Sequence, residues 1–366
     1  MKKVICVMLI LVMGFAAFTL LGCEEAVEEP VEDIDDVDED VDEEITDETE
    51  EYTAEDPLVI RISFLNAPDD SSVMSGRRWA EMLEERSDGR IILEVYPAGE
   101  LGGARENFQA MQDGSLEMAS LIPGTIAGFD DRLELNSLPG LFIDTETAQQ
   151  FDRDGFIGEY MEQYYEENGI IRLVGGEPNF YYFFTTDEAG TITNMEEMEG
   201  ARLRIPESPM MLHFFEGANA TPTPMPWGEI YTGLQRNVID GTVGNLIWSI
   251  AAQFHEVATN ISLVPVQYTP SDWLFSKAVW DDIPSDLQQI ILDSIPDIQE
   301  HAEESWVEEE LSNIEMLEEQ GVQIIEISEE DQIQWQQDSY EIWKDYVADV
   351  WGDEMLERIE EEILVR

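Results

Sequence analysis

From Leu58 onward the hydrophobic pattern switches repeatedly between a period of two and a period near 3.6, and this alternation constrains the fold more than any other feature. Leu58-Val59-Ile60-Arg61-Ile62-Ser63-Phe64-Leu65 predicts a strand that ends at Asn66 and a Pro68-Asp69-Asp70-Ser71 turn. Trp79, Met82 and Leu83 then fall at i, i+3 and i+4, the spacing of one helix face, before Asp88-Gly89 stops the helix. A second strand is predicted over Ile91 to Tyr96, then a glycine-rich turn from Gly99 to Gly103, a helix to about Gln112, and a third strand near Met118 to Ile122. Strand, helix, strand, helix, strand at this spacing predicts a parallel, doubly wound lobe, whose ligand crevice lies beyond the carboxyl ends of its strands.

A second set follows. We expect a helix around Thr147 to Glu167, then strands at Ile170 to Gly175, Phe180 to Thr186 and Ala201 to Ile205. Helices through Met211 to Phe215 and Trp227 to Gln235 come next, with a strand near Val238 to Val243 and a helix from about Asn245. Strands near Ile261 to Val266 and Trp273 to Val279 precede a helix from Pro284 to about Gln320, a strand over Val322 to Ile327, and two last helices. The expected fold class is α/β, with two lobes and a helical C-terminal third.

Upstream of Leu58 no core can form. Between Glu24 and Asp56 there are 20 Asp or Glu in 33 positions and no Lys or Arg. Such a run reads as a self-repelling tether, or equally as a propeptide without a spacer role. Ahead of it, Lys2 and Lys3 precede an apolar run from Val4 to Leu21 that ends in Leu20-Leu21-Gly22-Cys23. That is the shape of a signal peptide, close in length to an uncleaved membrane span. The box before Cys23 resembles the bacterial lipoprotein signal, which implies residues 1–22 as signal peptide, Cys23 as the lipidated residue, and residues 23–56 as anchor and tether outside the cytoplasm. Cys6 and Cys23 are the chain's two cysteines, so beyond the tether there is no thiol for a disulfide or a metal site.

Setting those 20 acids apart from the chain's 82 leaves 62 acids against 16 bases in residues 57–366. A field of this sign excludes a nucleic-acid reader, because phosphate affinity comes from clustered Lys and Arg. With four lysines in the whole chain, the acidic surface reads as adapted to concentrated salt, where counter-ions screen its self-repulsion. The motifs of catalysis are missing. His213, His255 and His301 are scattered, no His-Glu-x-x-His helix, phosphate loop or Gly-x-Ser-x-Gly elbow occurs, and Gly124-Thr125-Ile126-Ala127-Gly128 lacks dinucleotide spacing and reads as a plain loop. No catalytic residue, metal or cofactor is therefore expected.

The informative segment runs from Glu199 to Asn245. In Gly200-Ala201-Arg202-Leu203-Arg204-Ile205-Pro206, alternation places Leu203 and Ile205 on one face of a strand and Arg202 and Arg204 on the other. A guanidinium can hold a carboxylate through two parallel hydrogen bonds, although local acids could also pair with both arginines. Three stretches carry a family resemblance: Gly200-x-Arg202-x-Arg204-Ile205-Pro206, then Gly217-Ala218-x-x-Thr221-Pro222-Thr223-Pro224-Met225-x-Trp227-x-Glu229-Ile230-Tyr231-x-x-Leu234-Gln235, then Val238-Ile239-Asp240-Gly241. Together they resemble the signature of the extracytoplasmic solute-binding proteins of tripartite ATP-independent periplasmic (TRAP) transporters, of the dicarboxylate-binding type.

That resemblance implies a two-lobed, periplasmic-binding-protein-like fold. Lobe I would hold residues 57–180 and about 270–309, and lobe II residues 181–269 and about 310–366. It implies capture of a small organic carboxylate and delivery to one small and one large integral-membrane subunit. It also implies that Arg204 clamps the ligand carboxylate and that Trp227 packs on the ligand. Asn245 stands one place later than the family's ligand-touching Asn, and the strand Phe180-Tyr181-Tyr182-Phe183-Phe184 carries rings where a further family arginine is common. This favours a monocarboxylate or a ligand with an apolar part, with Tyr181 as a contact. Asn66 joins the candidates by its place at the end of the first strand. The rival classes are a secreted hydrolase and a ligand-binding module for signalling.

Overall fold

The structure, a computed structural model, describes residues 52–364; the predicted signal peptide, Cys23 and most of the acidic run lie outside them. Eleven strands form two sheets among the described residues. They are β1 (Leu58–Ser63), β2 (Ile91–Tyr96), β3 (Met118–Leu121), β4 (Ile170–Val174), β5 (Phe180–Thr185), β6 (Arg202–Ile205), β7 (Thr221–Pro224), β8 (Gly241–Gly244), β9 (Asn260–Tyr268), β10 (Asp272–Ser276) and β11 (Gln323–Ile325).

The first sheet has the order β2-β1-β3-β10-β4. β1 pairs in parallel with β2 and β3, as the strand and helix spacing predicts. β10 then enters antiparallel between β3 and β4, so the sheet is mixed rather than parallel throughout. All five residues of β10 are buried, and its Trp273-Leu274-Phe275 run shows a strand covered on both faces without indicating direction. The strand stops at Ser276, short of the expected Val279; residues Lys277–Asp282 turn helical, with Lys277 paired to Asp281 one turn on at 3.0 Å. Trp273 packs between Phe64 and Trp79, with ring centroids 5.5 and 5.7 Å away.

The second sheet has the order β11-β9-β5-β8-β6-β7. β5 is antiparallel to β8 and β9, and β6 is parallel to β7 and β8. β7 reads Thr-Pro-Thr-Pro, and a residue without an N–H is confined to a sheet edge, where β7 lies. The chain passes between the sheets at Gly175–Asn179, at Thr269–Ser271 and through the Ser285–Glu319 helix; the first two crossings are joined by Thr269 N donating to Asn179 O at 2.7 Å.

The expected helix from Thr147 to Glu167 is two helices, Thr145–Asp152 and Phe156–Glu167. The chain turns at Gly155, where a Cβ would lie 2.8 Å from Phe151 Cα and 2.9 Å from Gln150 O. The break brings Asp152 to Arg172 on β4. Arg172 is almost fully buried and pairs with Asp152 at 2.7 Å and Asp272 at 2.8 Å, while the Tyr165 hydroxyl donates to Asp272 at 3.1 Å. One guanidinium thus ties a helix and two strands of the first sheet. The Glu329–Trp351 helix packs on the second sheet through Trp335, whose ring lies 5.8 Å from Phe183 and 6.0 Å from Phe214.

Candidate functional site

A cavity of about 310 Å³ opens beyond the carboxyl ends of β3, β6 and β7. This is the end at which an open α/β sheet binds ligands, and the volume suits a small molecule. Its walls come from both sheets. Ile122, Gly124 and Thr125 follow β3; Arg204 and Pro206 end β6; Met225 and Pro226 follow β7; Tyr181 and Gln267 reach in from β5 and β9. The segment Asp131–Ser137 closes one side, held by Gln267 Nε2 donating to Ser137 O at 2.5 Å and by the Ser208 hydroxyl donating to Glu134.

Arg204 is the cavity's central group. Alternation along β6 buries Leu203 and Ile205 on the core face, and Arg204 on the opposite face is only 5% exposed. Its neighbours in register are Thr223 on β7 and Thr242 on β8. Nε donates to Met225 O at 2.9 Å, and the guanidinium carbon lies 5.7 Å from the Trp227 ring centroid, within cation–π range. These two contacts fix the plane of the guanidinium. Arg204 forms no ion pair, and neither Nη has a hydrogen-bond partner, among the described residues. Burial lowers its pKa to about 10, with Tyr181 and Glu207 opposing the shift. Arg202, by contrast, faces outward and pairs with Asp240, so of the two arginines one is committed locally and one is not.

The other predicted residues divide. Tyr181 lines the cavity. Trp227 does not, but it supports Arg204 from the side and packs on Phe254, with centroids 4.9 Å apart. Asn245 is not among the lining residues; its Oδ1 accepts from Trp248 N at 2.7 Å and caps the Leu246–Ala251 helix. Asn66 is also absent from the lining. It is buried at the end of β1, where its carbonyl accepts from Ala98 N at 2.7 Å.

Sequence reasoning missed Arg105. It sits in the first turn of the Ala104–Gln112 helix, exposed at the cavity rim, with its guanidinium carbon 5.0 Å from the Phe129 ring. It lies against Gly128, where a Cβ would fall 1.7 Å from Arg105 Nη2. A cation at a helix N-terminus gains nothing from the helix dipole, so its position needs another reason, and the cavity supplies one. The available signal was an arginine directly after Gly102-Gly103, in a chain poor in bases.

The chain is similar in sequence and in fold to known proteins. Over 268 residues the chain is 27% identical to the 2,3-diketo-L-gulonate-binding periplasmic protein YiaO of Escherichia coli, covering 73% of this chain and 80% of that one. Over 221 residues it is 27% identical to the ectoine-binding periplasmic protein TeaA of Halomonas elongata, covering 60% of this chain and 63% of the relative. The fold matches a TRAP periplasmic solute-binding protein from Ochrobactrum anthropi with a TM-score of 0.78, at 23% identity over 84% of this chain and 95% of the other. It also matches the sugar acid binding protein DctPAm of Advenella mimigardefordensis, solved with galactonate, at a TM-score of 0.73 and 24% identity over 83% and 96% of the two chains. The family model for the bacterial extracellular solute-binding proteins of family 7 matches residues 64–349, a span that contains ten of the eleven strands, all but β1, and every wall of the Arg204 cavity, and the chain belongs to that family.

Proposed function

We propose that this protein captures a small organic carboxylate at Arg204 and delivers it to the integral-membrane subunits of a TRAP transporter, without chemical turnover. The observation that carries the proposal is a buried guanidinium with both Nη groups unpartnered among the described residues, facing a cavity of small-molecule size. A buried cation is costly unless an anion meets it, and a bidentate carboxylate would satisfy both Nη groups. Relatives whose names state a sugar acid or a dicarboxylate as ligand support the same class.

The lobes of this reading are residues 57–180 with about 270–309, and residues 181–269 with about 310–366. Sheet membership supports the division, because β1 to β4 and β10 share one sheet while β5 to β9 and β11 share the other. Ligand contacts to both walls would favour the closed state, in proportion to their difference between closed and open forms. Bonds between the lobes so defined would accompany closure, among them the Ser208 hydroxyl to Glu134, Trp248 Nε1 to Asp70 Oδ2 at 2.9 Å and Gln267 Nε2 to Ser137 O at 2.5 Å.

A thermal-shift panel of monocarboxylates, dicarboxylates, keto acids and sugar acids, with neutral sugars as controls, tests the ligand class. At 100-fold excess over Kd a true ligand adds about 2.7 kcal/mol, a rise of several degrees. We expect that rise for at least one acid and for none of the neutral sugars. A flat response to every acid, or conversion of a bound acid to product, would remove the reading. The proposal includes a lipid anchor at Cys23, which explains the acidic run as a tether of up to about 100 Å. Cys23→Ser should move the protein from the membrane fraction to the soluble fraction; unchanged membrane retention would contradict the anchor.

A further inference from the structure

The cavity around Arg204 holds a carboxyl group that simple anion capture does not use. Glu134, in the Asp131–Ser137 segment, is 1% exposed and lines the cavity. Its Oε1 accepts from the Ser208 hydroxyl, and Ser208 Oγ in turn caps the Pro209–Gly217 helix by accepting from Met211 N at 3.0 Å. Its Oε2 is buried and makes no hydrogen bond of good geometry among the described residues, although the Met210 N–H lies close enough to lower the carboxyl's pKa. A buried carboxyl oxygen left unbonded costs about 1–3 kcal/mol; the nearby Tyr346 hydroxyl makes no hydrogen bond to it, and a ligand in the cavity can supply the missing partner.

We propose that Glu134 is a specificity-determining residue of this cavity: through Oε2 it bonds a hydroxyl of a hydroxylated monocarboxylate held at Arg204, and it takes up a proton as that anion enters. The proposal rests on the reading of the cavity as a carboxylate site. A ligand hydroxyl can accept from a protonated Glu134, the state that an incoming anion favours. A second ligand carboxylate beside Glu134 would place two acids together, which requires a proton between them.

Burial sets the direction of the Glu134 shift, and the groups around it modify its size. Asp131 on its own segment raises its pKa, while Ser208 and the Met210 N–H lower it. Tyr346 faces it from the Glu329–Trp351 helix, with a hydroxyl pushed up to about 12, first by burial and then by Glu134 and Asp131. Arg204, Arg105, Tyr181 and the exposed Glu207 share the cavity wall. Burial outweighs the rest and lifts the Glu134 carboxyl to about 7. Below that pH the group is neutral; above it the group is charged and opposes an incoming anion. An anion raises its pKa further, so binding draws in a proton, and affinity is full on the acid side and falls as pH rises through 7. Between pH 6 and pH 8 the fall should be about tenfold.

The test is calorimetric titration of the full chain with D-galacturonate, L-gulonate and succinate at pH 6 and pH 8, in two buffers of different ionisation heat. We expect the two hydroxylated acids to bind more tightly than succinate, to lose about tenfold in affinity between the two pH values, and to draw up to about one proton at pH 8. Glu134→Gln keeps the shape and a partner for Ser208 but cannot titrate. Its profile should be flat, and at pH 8 it should bind these acids more tightly than the native protein does. Buffer-independent heats in the native protein, equal pH dependence in both proteins, or tighter binding of succinate would each overturn the proposal. If only unhydroxylated acids bind and do so through Arg204, the carboxylate reading stands and this inference fails. If none of the three acids binds, the inference fails, and the wider panel decides the carboxylate reading.

Discussion

Arg204→Ala should abolish carboxylate binding, lowering affinity by at least about 100-fold, while the melting temperature stays unchanged or rises slightly. The two halves of this result have one cause. Arg204 is 5% exposed and forms no ion pair among the described residues, so the empty protein carries an uncompensated buried charge. Burial lowers its pKa to about 10, which means that the fold disfavours the charged form. Removing it therefore relieves a penalty in the empty state and deletes the partner in the bound state. Arg204→Lys is the companion variant. It keeps a charge, but loses the fork and the Nε bond to Met225 O, and should recover only part of the affinity. A large drop in melting temperature for Arg204→Ala would mark the residue as structural, and titration beside the melt separates the two outcomes.

Arg172→Ala should cost about 3–5 kcal/mol of stability, the range for breaking a buried ion pair by removing one partner. The variant leaves Asp152 and Asp272 buried together without their cation, and cuts the ties among β4, β10 and the Thr145–Asp152 helix. Burial already pushes the Asp272 carboxyl up in the native protein, and Arg172 only partly opposes it. Such a group stabilises the fold below its unfolded pKa, and that contribution is lost as pH rises through the folded pKa. The deficit of Arg172→Ala should therefore shrink towards acid pH as Asp272 takes up a proton. Urea melts at pH 7.5 and pH 5 check both statements; a loss under about 1 kcal/mol at pH 7.5 would show that the triad adds little to the fold. The contrast between the two arginines is instructive. Both are buried, yet one is saturated with carboxylates and supports the framework, and the other is left open towards the cavity.

The sequence carried most of the framework because the strands of this chain announce themselves by period. β1, β2 and β3 were legible to within a few residues, as was the long Ser285–Glu319 helix. Failures had local physical causes. β7 hides behind two prolines that only an edge tolerates. β8 begins at Gly241, later than expected: Asn237 adopts a left-handed φ of 54°, and the Val238 and Ile239 N–H groups donate back to Gly233 O instead of to a neighbouring strand. β10 could be read as a strand but not oriented, since a doubly buried strand looks the same in either direction.

At the site, Arg204 stood out because bases are scarce and alternation separated it from Leu203 and Ile205. Arg105 and Glu134 did not. Arg105 lies on a helix start that meets β6 only through the tertiary fold, and Glu134 is one acid among 82, distinguished by burial alone. Asn245 and Asn66 had the right residue type at strand ends, yet neither lines the cavity; the Asn245 Oδ1 caps a helix and the Asn66 carbonyl accepts from Ala98 N.

The most direct measurement is a crystal structure with the acid that gives the largest thermal shift in the panel. One ligand should lie in the cavity beyond β3, β6 and β7, with its carboxylate oxygens about 2.7–3.1 Å from the two Nη atoms of Arg204. A ligand bound elsewhere, or one in this cavity with its carboxylate turned away from Arg204, would contradict this placement.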